Sequence, residues 1–210
     1  GDMKYQDLNG DGKITRGVQT LDDHGDLVVI GNSSPRYNIT AIGGFNWKGF
    51  DFYMHWAGIG KRDYSPHVEN AFFWGLVTAW GNSALVKGSD WKDYWRPEGE
   101  TGRFGPNTDA YFPKPYFSSE SLKNKQVQSR YLLDAAYLRL KNLQIGYTIP
   151  TEISSKVFVK QARIFISGSN LLTITKFPKS MDPETTPVSY NVGAVYPISR
   201  SYSAGVNITF

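Results

Sequence analysis

Asp7-Leu8-Asn9-Gly10-Asp11-Gly12-Lys13-Ile14-Thr15 sets oxygen-bearing side chains at alternate positions, with glycine at the sixth place and an apolar residue at the eighth. These are the first nine places of a calcium loop, because a hard cation collects oxygen ligands and the glycine allows the sharp turn between them. Asp7, Asn9 and Asp11 would converge on one ion, with the Lys13 carbonyl and Thr15, directly or through water, filling further positions. The twelfth place calls for a bidentate carboxylate and holds Val18 instead; Asp22 and Asp23 are the nearest carboxylates that could replace it. The competing reading is an Asx-rich turn with no metal.

A second set of candidates is aromatic. Residues 61 to 134 are too long for a bare loop and are expected to carry helix and function. Phe73, Leu76, Val77 and Trp80 have helical spacing, followed by Trp91, Tyr94 and Trp95 and a run containing Pro97 to Pro115. Trp91 and Trp95 could stack on sugars or grip peptide, although an individual aromatic of this kind more often packs the loop onto itself or a partner. Catalytic signatures are not found: there is no nucleophile elbow, Walker loop or HExxH, and the three histidines, His24, His55 and His67, lack metal-ligand spacing. Pairs such as Asp90 with Asp93 or Glu98 with Glu100 do not establish an acid and a base, which must converge across a cleft. The expectation is no enzyme.

The elements that must position these groups are strands. Tyr202 to Phe210 alternates apolar with small or polar residues without exception, so Tyr202, Val206, Ile208 and the terminal Phe210 meet oil on one face while the other face meets something wet. The same period runs through Tyr37, Ile39, Ala41, Gly43, Phe45 and Trp47, and again, after Lys48-Gly49, through Phe50, Phe52, Met54, Trp56 and Gly58. A hairpin at Lys48-Gly49 predicts the pairs Trp47 with Phe50, Phe45 with Phe52, Gly43 with Met54 and Ala41 with Trp56, leaving the turn type open. Asp51, Tyr53 and His55 then face the wet side. Ala162 to Asn170 follows the pattern except for Phe165, which sits on the polar side. Between Asp134 and Thr148 the phase slips near Lys141-Asn142, so that Leu138 and Leu140 oppose Leu143, Ile145 and Tyr147. A β-bulge, one extra residue that flips all that follows, explains the slip economically; the alternative is that Leu138 and Leu140 point inward.

Composition agrees with β-structure at a membrane. Of the 210 residues, 13 Tyr, 12 Phe and 6 Trp make 15% aromatic, the net charge of +4 is scattered rather than gathered into a nucleic-acid patch, and there is no cysteine for disulfides or thiolate metal sites. No signal peptide opens the sequence and no apolar run approaches the roughly 20 residues of a membrane helix. A membrane reading is therefore a barrel reading: all-β, five antiparallel transmembrane strands with long extracellular loops. Lipid leaves no water to satisfy a free strand edge and five strands are too few to close, so the chain is expected to be a piece. With Phe210 ending in the periplasm, short turns at 48–49 and 149–160 lie inside. The expected segmentation is an outer loop over 1–35, a hairpin over 36–60, an outer loop over 61–134, a strand pair over 135–170, an outer loop over 171–198 and the last strand over 199–210.

Several longer motifs then stand out in order: Gly1 to Ile14, Ile30-Gly31-Asn32-Ser33-Ser34-Pro35-Arg36-Tyr37, Trp47-Lys48-Gly49-Phe50-Asp51, Tyr137-Leu138-Arg139-Leu140-Lys141-Asn142 running to Gly146-Tyr147-Thr148-Ile149-Pro150, Ser167-Gly168-Ser169-Asn170-Leu171-Leu172-Thr173, and Tyr196-Pro197 leading to the last strand. Together they cover most of the chain and closely resemble the carboxyl-terminal region of SusC/RagA-type TonB-dependent transporters. The resemblance implies a 22-stranded plugged barrel in a Bacteroidetes-type outer membrane, importing oligosaccharides or peptides under a SusD-like lipoprotein lid. It further implies as partners the plug and remaining strands of the same transporter, the TonB complex acting through that missing amino-terminal part, the lipid bilayer, and the barrel-assembly machinery, for which Phe210 would be the signal. The sequence departs from the family around Arg16 to Thr20 and at Arg96-Pro97-Glu98-Gly99-Glu100. A different class of reading, a secreted calcium-binding β-sandwich that binds glycans, would explain the alternation by one wet and one packed face.

Overall fold

The computed structural model describes residues 1–68, 70–74, 93–116, 120–186, 195–196 and 198–210. These fall into two compact units. One gathers the strands, Ser33–Asp63, Asp134–Phe177 and Tyr196–Phe210; the other gathers Gly1–Asn32, Tyr64–Leu133 and Pro178–Val195.

The strand unit is a five-stranded sheet in simple chain order, each strand antiparallel to the next: β1 (Asn38–Trp47), β2 (Phe50–Ile59), β3 (Tyr137–Thr148), β4 (Gln161–Thr175) and β5 (Ser201–Thr209). With 9 to 15 residues each, all five reach the roughly 9–11 residues with which a tilted strand crosses a bilayer. The hairpin register agrees with the sequence expectation at every named pair, Trp47 opposite Phe50, Phe45 opposite Phe52, Gly43 opposite Met54 and Ala41 opposite Trp56. Lys48 (φ 47°) and Gly49 (φ 87°) both take positive φ, the signature of a type I′ turn whose twist suits the strands it joins.

The phase slip in β3 is a bulge. On the β2 side His55 pairs with Asn142 and Trp56 with Leu140, leaving Lys141 as the extra residue. Leu138 and Leu140 are thereby restored to the face of Leu143, Ile145 and Tyr147, and the inward-pointing alternative is set aside. A matching irregularity in β4, where Asn170 turns through φ 55°, lets pairing resume at Leu172 and carries the strand to Thr175, five residues past the expected end. One apolar face consequently runs unbroken across the sheet in rows such as Phe45, Phe52, Ile145, Ile166, Ala204 and Trp47, Phe50, Tyr147, Ile164, Val206. Tyr37, Ile39, Phe45, Trp47, Phe50, Ile164, Ile166, Tyr202, Val206 and Ile208 on this face are exposed, while Phe52 and Trp56 are half-buried among their neighbours. Exposed apolar side chains arranged as one contiguous sheet face need an apolar solvent, and a β-sandwich would have covered them with a second sheet. No helix among the described residues is long and apolar enough to cross a membrane.

The other unit has its own aromatic core. Phe73, Trp74, Phe112 and Tyr131 are buried and meet largely edge to face, with Trp74 and Tyr131 ring centroids 4.9 Å apart. Their polar tips are satisfied: Trp74 Nε1 donates to the His67 carbonyl at 2.8 Å and the Tyr131 hydroxyl to the Tyr111 carbonyl at 2.8 Å. Of the helix expected from Phe73 to Trp80, Ala71–Trp74 is described as helical and Leu76, Val77 and Trp80 lie outside the described residues.

Candidate functional site

The polar face of the sheet is built by the same register that builds the apolar one. Its rows bring together Asn46, Asp51, Gly146, Phe165 and Gly205; then Gly44, Tyr53, Gln144, Ser167 and Ser203; then Ile42, His55, Asn142, Ser169 and Ser201. Asp51, Tyr53 and His55 therefore share one face, as their phase in the sequence requires, with Tyr53 exposed and the other two half-buried.

The sequence did not reveal what fixes Asp51. Arg163 of β4 reaches across the intervening strand β3 and holds it with two parallel bonds, Nε to Oδ1 at 2.8 Å and Nη2 to Oδ2 at 2.5 Å. The bridge passes directly over Gly146, where a Cβ would collide with both partners. Glycine also explains Phe165, the one apolar residue out of phase: its ring lies in the space left by Gly205, and the Arg163 guanidinium stacks 5.0 Å from its centroid. Arg163, Phe165, Gly146 and Gly205 form a single interlocked patch. Next to it the Asn142 side-chain oxygen is buried without a hydrogen-bond partner among the described residues, an acceptor left facing the polar side. Among the described residues the face offers hydrogen-bonding groups and the Asp51–Arg163 ion pair, a surface able to hold a polar solute.

The Asp7 loop folds as a nest of Asx turns. Asp7 accepts the Gly10 and Gly12 N–H groups at 2.6 and 2.9 Å, Asn9 accepts that of Asp11 at 3.0 Å, and Asp11 that of Lys13 at 2.8 Å. Gly10 and Gly12 supply the left-handed turns, at φ 77° and 79°. The carboxylate that returns to this loop is Asp26, which accepts the N–H of Leu8 and of Thr15, both at 2.7 Å. These donors hold its pKa below the ordinary carboxylate value. Asp23 instead caps the inserted turn, accepting the Val18 N–H at 3.3 Å, and Asp22 is exposed. Asp26 stands fifteen places after Asp11, a separation no calcium-loop spacing singles out. Among the described residues no three acidic or histidine side chains converge closely enough to hold a metal.

Of the two tryptophans expected to meet substrate, Trp91 lies outside the described residues. Trp95 is half-buried, its N–H bonded to the Phe112 carbonyl at 3.0 Å and one side of its ring packed against Gly1. It borders a cavity of about 230 Å³ with Tyr94, Arg96, Arg103, Phe104 and Lys114. Beside Gly1, Asp2 accepts bonds from Asn124, Lys123 and Tyr116, which together hold its carboxyl far below the usual range, and the Asp2 and Glu120 carboxylates in turn raise the Lys123 ammonium. Phe210 follows the end of β5 and is exposed.

No family model matches the chain. Among curated proteins it is 26% identical over 217 residues to TonB-dependent receptor P3 of Formosa agariphila, covering 98% of this chain and 19% of the relative. To TonB-dependent receptor P26 of the same organism it is 27% identical over 221 residues, covering 100% of this chain and 20% of the relative. The chain thus spans about a fifth of the length of the curated relatives it matches. Among solved structures it superposes on the RagAB peptide transporter with a TM-score of 0.58 at 25% identity, over 87% of this chain and 18% of the other. The RagAB peptide importer in its open-open state gives a TM-score of 0.59 over 91% of this chain and 19% of the other, at 23% identity, where the likeness concerns fold. The in-order strand sheet and its exposed apolar face agree with these matches: the chain is similar to part of a TonB-dependent receptor of the SusC/RagA type, and its fold is that of an outer-membrane β-barrel wall.

Proposed function

We propose that this chain supplies wall and outer loops to an active importer of peptides or oligosaccharides, powered by TonB through parts of the transporter other than these residues. The observation that carries the reading is the pair of sheet faces: an unbroken apolar face for lipid and, behind it, a polar face with the Asp51–Arg163 bridge and the Tyr53, His55 and Asn142 rows for a wet passage. The wall is proposed to belong to a 22-stranded plugged barrel, with a SusD-like lipoprotein over its outer mouth and Phe210 read by the barrel-assembly machinery. The RagAB structures, named for a peptide importer, favour peptide among the two cargo classes.

Calcium at Asp7, Asn9 and Asp11, with the Lys13 carbonyl and Thr15, belongs to the same proposal and rests on spacing alone. Metal binding there requires carboxylates now committed to backbone N–H groups to turn toward a common ion, with Asp26 closing the set in place of Asp22 or Asp23.

Uptake of labelled oligopeptides and of labelled oligosaccharides by cells carrying the whole transporter tests the reading. Accumulation of one class, abolished when TonB is deleted, is expected; accumulation indifferent to TonB contradicts it.

A further inference from the structure

The connection between β3 and β4 carries an unusual side chain. Thr151–Ser154 form one helical turn and Ser155–Val157 a tighter one, and Phe158 then takes φ 61° while its N–H bonds the Ser155 carbonyl at 3.1 Å. A left-handed residue in this closing position is where glycine costs least. The chain has phenylalanine there, 92% exposed, so nothing within the described residues accounts for the ring. Ile153 and Val157, one helical turn apart, add an apolar ridge at 59% and 66% exposure, while Ser154 on the other side of the turn is buried. Lys156 and Lys160 flank the ridge and are exposed.

The position of this ridge says what covers it. Ile149 donates to the Ala162 carbonyl at 2.9 Å, adding a rung beyond the Tyr147 and Ile164 pair, and Lys160 donates to the Thr209 carbonyl at 2.9 Å. By the two-residue period Ile149 continues the phase of Tyr147, and Lys160 that of Ala162 and Ile164, so both extend the lipid-facing side of the sheet. The ridge is joined at both ends, through Ile149 and Lys160, to the membrane-facing surface, and its exposed charges are Lys156 and Lys160 with Glu152 at its start; this is the composition of an interfacial anchor, in which rings enter the boundary of the acyl chains while ammonium groups meet phosphates.

We propose that the 149–160 turn is an anchor for the phospholipid headgroup layer of the adjoining leaflet, with Phe158 as its buried tip and Lys156 and Lys160 binding anionic headgroups. The proposal rests on the barrel reading above.

The test uses the whole transporter, cleared of any cysteine elsewhere and reconstituted in phospholipid vesicles with and without anionic lipid. Spin labels are placed singly at Phe158→Cys, at Ile166→Cys on the apolar face and at Val127→Cys in the other unit, and collision rates with oxygen and with a water-soluble nickel complex are compared. The 166 label is expected to be oxygen-accessible, the 127 label nickel-accessible, and the 158 label at the depth of the phosphates. Lys156→Gln with Lys160→Gln is expected to move the 158 label toward water by at least a twofold rise in nickel collisions, in anionic vesicles only. A 158 label as wet as the 127 label, or shielded from both reagents against another part of the protein, overturns the anchor while the barrel stands. A 166 label that is nickel-accessible overturns the barrel reading and the anchor with it.

Discussion

Arg163 and Asp51, 112 residues apart in the chain, join β4 to β2 by a bidentate bridge that crosses β3 over the bare backbone of Gly146. The two side chains are 20% and 26% exposed, so the pair is screened less than a surface ion pair and each partner would be costly to strand alone. Removal of either side, Asp51→Asn or Arg163→Met, is expected to destabilise the barrel by about 1–3 kcal/mol. In a double-mutant cycle, denaturant unfolding of the reconstituted transporter should give a coupling energy of roughly 1 kcal/mol or more. Additive losses would show that the bridge contributes nothing to joining the strands.

Gly146→Ala should cost a comparable amount by a different route. Its methyl group must displace the bridge rather than fill a void, so the loss is expected to vanish in an Asp51→Asn, Arg163→Met background, read by the same unfolding midpoint.

The Lys48-Gly49 turn places a side chain at a position where φ is 47°. Lys48→Asn, or Lys48→Gly, is expected to stabilise the hairpin by about 0.5 kcal/mol, reduced by loss of the ammonium held 5.0 Å over the Trp47 ring. Gly49→Ala, at φ 87°, is expected to destabilise it by about 1 kcal/mol or more. Paired measurements of the unfolding midpoint check the opposite signs.

Asp26 gives the loop of residues 7 to 26 a pH dependence. Its folded pKa is depressed by the Thr15 and Leu8 N–H donors, so its contribution is present above the ordinary carboxylate pKa and is lost as pH falls through the folded value. Acid-stable protease cleavage within the loop should therefore rise as pH falls below the ordinary carboxylate range. Asp26→Asn should be cleaved readily even at neutral pH with a flatter profile, whereas Asp22→Asn should follow the parent.

Calcium titration of the whole transporter by calorimetry separates the two readings of this loop. Binding that Asp7→Ala, Asp11→Ala and Asp26→Ala each weaken at least tenfold, with Asp22→Ala and Asp23→Ala neutral, is the expected result if the metal is held. The absence of any calcium-dependent heat would leave the Asx-turn nest as the whole account.

Much of the sheet is legible in the sequence because a period of two is a one-dimensional signal: it carries the faces of β1, β2 and β5, the hairpin register and a phase slip near Lys141-Asn142 that the pairing resolves as a bulge. The extent of β4 was not legible, since the Asn170 irregularity breaks the period just where the strand continues. Phe165 departs from the phase of its strand because the glycine that makes room for its ring, Gly205, sits on another strand. The same limit applies to Arg163 with Asp51 and to Asp26 with the Asp7 loop: partners so distant in the chain meet only through the fold. Residue type alone leaves a loop tryptophan open to two roles, substrate platform or packing onto its own loop, and Trp95 is half covered by its own unit.

Which face of the sheet meets lipid is read most sharply across the bulge at Lys141. Single cysteines at 138, 140, 143 and 145, and at 139, 142 and 144, would be treated in cells carrying the whole transporter with a water-soluble maleimide and with a lipid-soluble one. A lipid-facing apolar side predicts that 138, 140, 143 and 145 react only with the lipid-soluble reagent, and 139, 142 and 144 with the aqueous one, the even-to-odd switch falling at 141. Aqueous labelling of 143 and 145, or a constant phase through 141, would contradict it.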